Sequence, residues 1–194
     1  MEMRKVVILG ASGTIAGHVV DMLVTHNDVH LKLVLRDARR LRNKAISKCR
    51  IIEGDVLDYS QLGEGVKGQD IVYANLAGDL ESMARNIVEA MKENGVKRLI
   101  FISSIGIYEH PLKSVLKPYR KSVDVIEASD LDYTILRPTW FRAVDEVDYE
   151  ITKKGEPEKG SVVSQKSIAS LIVKIIKSPE CYVRESLGVN KPNS

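Results

Sequence analysis

Hydrophobic positions along the 194-residue chain follow two alternating rhythms. Short, nearly continuous apolar runs at 5–9, 30–35, 50–53, 70–74, 98–102 and 133–136 are rich in Val, Ile and Leu, the composition of strands buried on both faces. Between them, apolar residues recur at helical spacing over 14–25, 60–66, 81–94 and 118–129, with a weaker helical pattern over 39–47. In 81–94, Met83, Ile87, Val88 and Met91 share one face, and Asn94-Gly95 supplies a C-terminal stop. Near the end of the chain Ser164 is placed to cap a helix whose inner face carries Ile168, Leu171, Ile172, Ile175 and Ile176. The piece TKKGEPEKG at 152–160 reads as an exposed turn or hairpin. Strand–helix alternation of this kind predicts an α/β fold with a parallel sheet covered on both faces. Its ligands belong at the carboxyl ends of the strands, near the switch in strand order.

Composition narrows the picture. With 44% hydrophobic residues, a chain of this length fills one core, so a single domain over 1–194 is expected. A net charge of +3 and a pI near 8.8 fall short of the basic surface of a nucleic-acid binder, and no nucleic-acid partner is expected. Cys49 and Cys181 stand far apart with no C-x-x-C, and His18, His26, His30 and His110 lack metal-ligand spacing. That pattern suits a reducing compartment and no bound metal. No uninterrupted apolar stretch approaches membrane length, and the run at 6–9 is too short for the core of a signal peptide. A cytoplasmic location and no membrane partner are the expectation.

The first apolar run breaks into GASGTIAG, where Gly10, Gly13 and Ala16 give a G-x-x-G-x-x-A spacing between a predicted strand and a predicted helix. Gly10 permits a sharp turn, Gly13 lets backbone approach a pyrophosphate, and Ala16 lets helix pack closely on strand. Amides at the start of the helix, around Thr14 and Ile15, point at a bound anion, and Ser12 and Thr14 add hydroxyl donors. A plain strand–helix turn uses glycine for geometry alone. Placement after the first strand of an α/β pattern favours dinucleotide binding, and no G-K-[ST] follows to support a nucleotide triphosphate loop.

The second run ends LVLRDARRLR, which puts Arg36 where an NAD site would carry a carboxylate for the ribose hydroxyls. A guanidinium there suits the 2′-phosphate of NADP, with Arg39 or Arg40 adding to it. Asp37 offers the opposite reading, because a register shifted by one residue restores the acidic partner of NAD. NADP(H) is therefore the favoured cofactor and NAD(H) the alternative. In the same basic stretch Arg42, Lys44, Lys48 and Arg50 read as a solvated face. Further strand ends supply Asp55 and Val56, suited to flank an adenine, and then Asn75, Leu76 and Ala77.

Taken together, GASGTIAG, VLRD, GDVLD, ANLAG, FISSIGIY and SDLDYTILRPTW resemble an atypical short-chain dehydrogenase/reductase of the NmrA-like, NAD(P)H-binding group, over nearly the whole chain. The resemblance implies a Rossmann-like doubly wound sheet, with nicotinamide near the ends of the fifth and sixth strands. It also implies a substrate side covered by 105–118 and 139–164. By the same likeness, Pro138 and the backbone after it lie near the carboxamide end of the cofactor.

The wider family uses a Ser, a Tyr and a Lys, with Tyr and Lys four residues apart. Ser104 matches the serine position, but Val115 stands in the place of the tyrosine and Tyr119 in that of the lysine. No Y-x-x-x-K occurs on that helix, which argues against ordinary carbonyl reduction. Tyr108 and Tyr119 are the candidate substitute donors, with Arg120 or Lys121 nearby; packing or rim positions are the simpler account of both. Ser104 has its own simple account, a hydrogen bond at the strand end, and His110 reads as a loop residue. Two functions follow. One is an NADPH-dependent reductase of a quinone, flavin or other small conjugated acceptor that needs little help with protonation. The other is a non-catalytic sensor of the NADP redox state that binds a partner protein. The resemblance allows monomer and homodimer alike.

Overall fold

Val6, Val7, Ile8 and Leu9 are wholly buried, and their alternation decides the layers of the molecule. Val6 and Ile8 face one hydrophobic core, Val7 and Leu9 the other, as a strand with period two requires when both its faces are covered. The computed structural model describes residues 3–41 and 46–194. In chain order it contains β1 (Arg4–Leu9), α1 (Thr14–Leu23), β2 (Val29–Leu35), β3 (Arg50–Glu53), α2 (Tyr59–Val66), β4 (Ile71–Ala74), α3 (Leu80–Glu93) and β5 (Arg98–Ile102). These are followed by α4 (Lys117–Glu127), β6 (Asp132–Pro138), β7 (Trp140–Arg142), β8 (Glu150–Lys153), β9 (Val162–Ser164), α5 (Gln165–Lys177) and β10 (Glu185–Asn190).

The main sheet has eight strands in the order β3-β2-β1-β4-β5-β6-β10-β8, all parallel except the antiparallel edge strand β8. Helices α1 and α5 cover one face, and α2, α3 and α4 the other. This is a Rossmann-like, doubly wound single domain. Chain order reverses at β1, which has β2 on one side and β4 on the other, so a crevice opens at the carboxyl ends of β1 and β4.

All six expected strands form, each within two residues of its expected ends. Of the helix expected over 39–47, the described residues show 3₁₀ turns at Ala38–Arg40 and Ile46–Lys48; residues 42–45, with Arg42 and Lys44, lie outside the described residues. A carboxylate decides the first turn: Asp37 caps it by accepting the Arg39 amide. The expected solvated face holds for Lys48 and Arg50, both exposed. Of the exposed turn or hairpin expected at 152–160, the turn forms at 154–155, where Glu156 donates its amide to Lys153 O at 3.1 Å, and the hairpin does not. Thr152 and Lys153 end β8, which pairs with β10, while the next strand, β9, pairs with β7 in a separate two-stranded sheet. Ser164 caps α5 as its side chain accepts the Ser167 amide.

Lys32 shows how the sheet tolerates a buried charge. On β2 and only 6% exposed, it donates Nζ to the carbonyls of Glu64 (3.2 Å), Gly65 (2.9 Å) and Lys67 (3.1 Å) at the C-terminal end of α2. An ammonium has three donors and the helix end has unpaired acceptors, so the match is complete. Burial nevertheless lowers its pKa below the ordinary lysine value. Replacing Lys32 with Met keeps the volume and strands those carbonyls. Chemical denaturation should then show a loss of roughly 1.5–3 kcal/mol, the range for hydrogen bonds to a charged group.

Candidate functional site

The turn after β1 is built around an approach too close for a side chain. Gly10 has φ +78°, and a Cβ on it would run into the carbonyl oxygen of Asn75, which follows β4. Gly10 donates its amide to Val34 O at 2.9 Å and Asn75 donates its amide to Leu9 O at 2.9 Å, so the ends of β2, β1 and β4 are tied side by side. A Cβ on Gly13 would collide with the Asn75 side-chain amide; that glycine makes room for Asn75 as well as for any ligand. Ala16 is wholly buried where α1 meets the sheet.

Gly13 is the N-cap of α1, and no side chain caps the helix there. The first amides of a 10-residue helix are thus left to an outside acceptor, with the positive end of the helix dipole behind them. They open onto a groove of about 430 Å³ along the carboxyl ends of the strands. Gly10, Ser12, Gly13, Thr14 and Ile15 form one end of it. Arg36, Asp55 and Val56 lie beside the second and third strand ends, and Asn75, Leu76 and Ala77 beside the fourth. Asp55 is held by its own turn, accepting the Leu57 amide at 2.9 Å and donating its amide to Gln61 at 2.8 Å. Val56 is buried, an apolar wall facing the groove.

The two carboxylate-or-cation readings of the second strand end separate cleanly. Asp37 is bidentate to Arg39, Oδ1 to Nε at 2.9 Å and Oδ2 to Nη2 at 3.1 Å, and it also accepts the Arg39 amide. Both oxygens are engaged inside the turn, and these bonds hold the Asp37 carboxyl below its ordinary pKa. Arg36 is exposed on the groove wall, makes no ion pair among the described residues, and is joined there by Arg40.

A second groove, of about 350 Å³, continues from the first, with Phe141 belonging to both. Ser104, Tyr119 and Pro138 line it, under a largely apolar wall of Ile105, Val115, Leu116 and Trp140. Segments 105–118 and 139–141 therefore meet over one hollow. The Ser104 hydroxyl donates to Ile105 O at 3.2 Å, a local bond within the turn after β5 rather than one to the strand end. Val115 is 73% exposed, so the position that a tyrosine would occupy presents only an isopropyl group.

Tyr108 is not brought to this hollow. Its hydroxyl donates to Glu127 Oε1 at 2.6 Å and lies 3.1 Å from Ser186 Oγ, beneath a ring of cations: Arg120, Arg137 and Lys154 stand 4.7, 5.1 and 4.6 Å from the ring centroid. Burial and the Glu127 carboxylate push its pKa up, so the phenol is a packed donor inside a charge network. Tyr119 alone of the two lines the groove. Sequence reasoning passed over Phe141 and Gln165, which also line the first groove. The available signal was the adjacent aromatic pair Trp140-Phe141 just after Pro138; the structure leaves the two side chains 80% and 50% exposed on a three-residue strand.

Comparison with known proteins agrees with this geometry. An NAD(P)H-binding family model matches residues 10–179. The chain belongs to that family. A Rossmann-fold NAD(P)-binding family protein from Shigella flexneri is 45% identical, with a TM-score of 0.92 over 100% of this chain and 96% of that one. A short-chain dehydrogenase/reductase from Veillonella parvula, solved in complex with NADP, is 27% identical with a TM-score of 0.89 over 98% and 95%. Among curated proteins, the phenylcoumaran benzylic ether reductase PT1 of Pinus taeda is 28% identical over 152 residues, 71% of this chain and 49% of the relative. The chain spans about half the length of the curated relatives it matches. Among the described residues of this NAD(P)H-binding protein, no helix is long and apolar enough to cross a membrane.

The glycine turn gives a direct test. Gly10→Ala meets both a positive φ and a backbone carbonyl, whereas Gly68→Ala meets a positive φ (+69°) with open space around it. Gly68→Ala should cost about 1–2 kcal/mol, the left-handed penalty alone, and leave dinucleotide-induced thermal stabilisation intact. Gly10→Ala should cost more than that and abolish the stabilisation.

Proposed function

We propose that the chain is an NADPH-dependent reductase that reduces a small, flat, conjugated acceptor held in the second groove. The observation that carries the cofactor preference is the bidentate Asp37–Arg39 pair, which removes the carboxylate that NAD would need and leaves Arg36 exposed to meet a 2′-phosphate. The residues of the first groove fit the dinucleotide: the uncapped start of α1 accepts the diphosphate, Arg36 and Arg40 the 2′-phosphate, and Asp55 and Val56 flank the adenine. Pro138 and Ser104, at the ends of β6 and β5, would lie toward the nicotinamide. When bound, the reduced nicotinamide supplies a hydride.

The chain's own residues narrow the acceptor. With Val115 and Tyr119 in place of a Tyr–Lys pair, the groove lacks the family's paired phenol and cation for protonating a substrate oxygen. An acceptor whose reduced anion is spread over a conjugated system, as in a quinone or flavin, takes its proton from water and has no need of that pair. Ile105, Leu116, Trp140 and Phe141 offer such a molecule apolar faces, and the Ser104 and Tyr119 hydroxyls offer it hydrogen bonds. The reductase names of the curated relatives support this reading.

One observation favours a second reading, a redox sensor that binds a protein. Trp140, Phe141, Val144 and Val147 expose apolar side chains at and beside the grooves. Such a strip would suit a partner that docks only when the dinucleotide is in one redox state.

At equal concentrations NADPH should raise the unfolding midpoint more than NADH; near a hundred times its Kd a ligand adds roughly 2.7 kcal/mol. Arg36→Ala should weaken NADPH binding about 10-fold or more while leaving NADH binding unchanged, as loss of a charge-assisted contact requires. Equal midpoints for the two dinucleotides would refute the assignment to Arg36. NADPH consumption over a panel of quinones, flavins and aldehydes separates enzyme from sensor. Silence across the panel, with a protein captured in one redox state only, would favour the sensor.

A further inference from the structure

Arg137, near the end of β6, is buried to 1% exposure, and its Nε donates to Ser186 Oγ on β10 at 3.1 Å. Burial lowers its pKa, so the cation needs an anion close by. That anion comes from an unexpected place. Glu158, in the otherwise exposed loop between β8 and β9, turns inward and pairs with Arg137 Nη1. Its other oxygen, Oε2, accepts the Gly106 amide at 2.8 Å. Gly106 has φ +82°, lines the second groove and lies against Leu116 and Glu109, which line it too. The same loop is fastened a second time where Lys154 Nζ donates to Glu127 Oε1 at 2.8 Å, over the Tyr108 ring.

One carboxylate thus spans two structures: the fixed cation on the sheet and the turn that forms one wall of the groove. We infer that Glu158 is a positioning residue that pins the 105–109 turn to Arg137 and so sets the shape of the groove in which the acceptor lies. This inference rests on the acceptor reading of the second groove. A carboxylate suits the task because it accepts two bonds in divergent directions, whereas an amide has one acceptor oxygen.

The test uses the full chain with two substitutions and two readouts. Glu158→Ala removes both contacts. Glu158→Gln can serve Arg137 or Gly106 but not both, and it stands in if the alanine variant does not fold. Hydrogen exchange follows the amides of 104–109 and, as an internal control, those of 10–17. Menadione, a quinone, is titrated against the fluorescence of Trp140, the single tryptophan, which lines the groove. Exchange at 104–109 should quicken about tenfold, as loss of a charge-assisted bond allows. Menadione should bind several-fold more weakly, while exchange at 10–17 and the Kd for NADPH stay as in the parent protein.

Unchanged exchange at 104–109 overturns the inference, and so does faster exchange with unaltered menadione affinity. Faster exchange throughout, with both ligands weakened, also overturns it, since that marks a general loss of stability. If menadione fails to quench the parent protein saturably, the acceptor reading falls, and exchange at 104–109 alone then judges whether Glu158 holds the wall.

Discussion

Everything at the carboxyl end of the sheet depends on one close approach, the backbone of Gly10 against the carbonyl of Asn75. The turn after β1 is left-handed there, and the next strand in space, β4, presses directly on it. Any side chain would force the strand ends apart. Because none is present, the start of α1 sits low in the crevice with its amides uncapped, and the groove along the strand ends stays continuous from Arg36 to Phe141.

The same frame explains how a sheet buried on both faces carries charge. Lys32, Arg98 and Arg137 are all buried cations on strands, and each has a different solution. Lys32 serves the open carbonyls at a helix end. Arg98 binds the carbonyls of Asp132 at 2.7 Å and Cys181 at 2.9 Å and the Thr134 hydroxyl at 2.8 Å, fastening the segment before β10 without any carboxylate among those contacts. Arg137 alone draws an acidic side chain in from a surface loop. Neutral acceptors suffice where a helix end or a strand edge leaves carbonyls free. At Arg137 a neutral hydroxyl, Ser186 Oγ, is joined by a carboxylate from a distant loop.

Much of this was legible in the chain. The β1–β6 and α1–α5 segments follow from apolar periodicity, because burial on two faces demands continuous runs and burial on one demands helical spacing. The glycine spacing pointed to the right turn, and the groove-lining residues after four strands came from their position at strand ends. Strands β7, β8, β9 and β10 were missed: β7 and β9 have three residues each, β8 has four with Ile151 its one strong apolar residue, and β10 carries only Leu187 and Val189. Of the weak helix expected over 39–47, the described residues form only 3₁₀ turns, the first of them capped by Asp37. Tyr108 and Tyr119 looked equivalent in sequence, yet one is packed under three cations and the other faces the groove.

The sequence by itself determined the layered α/β architecture, the glycine turn and the absence of a Tyr-x-x-x-Lys pair, since each is written in residues close together along the chain. Tertiary structure alone decided which of Arg36 and Asp37 is available, which tyrosine reaches the second groove, and that a glutamate in a polar loop would become the counter-ion of a buried arginine. The first turns on a local side-chain geometry that the letters leave open, Asp37 closing on Arg39 two residues on; the other two turn on distant segments, and no local pattern encodes a partner 21 positions away, as Glu158 is from Arg137.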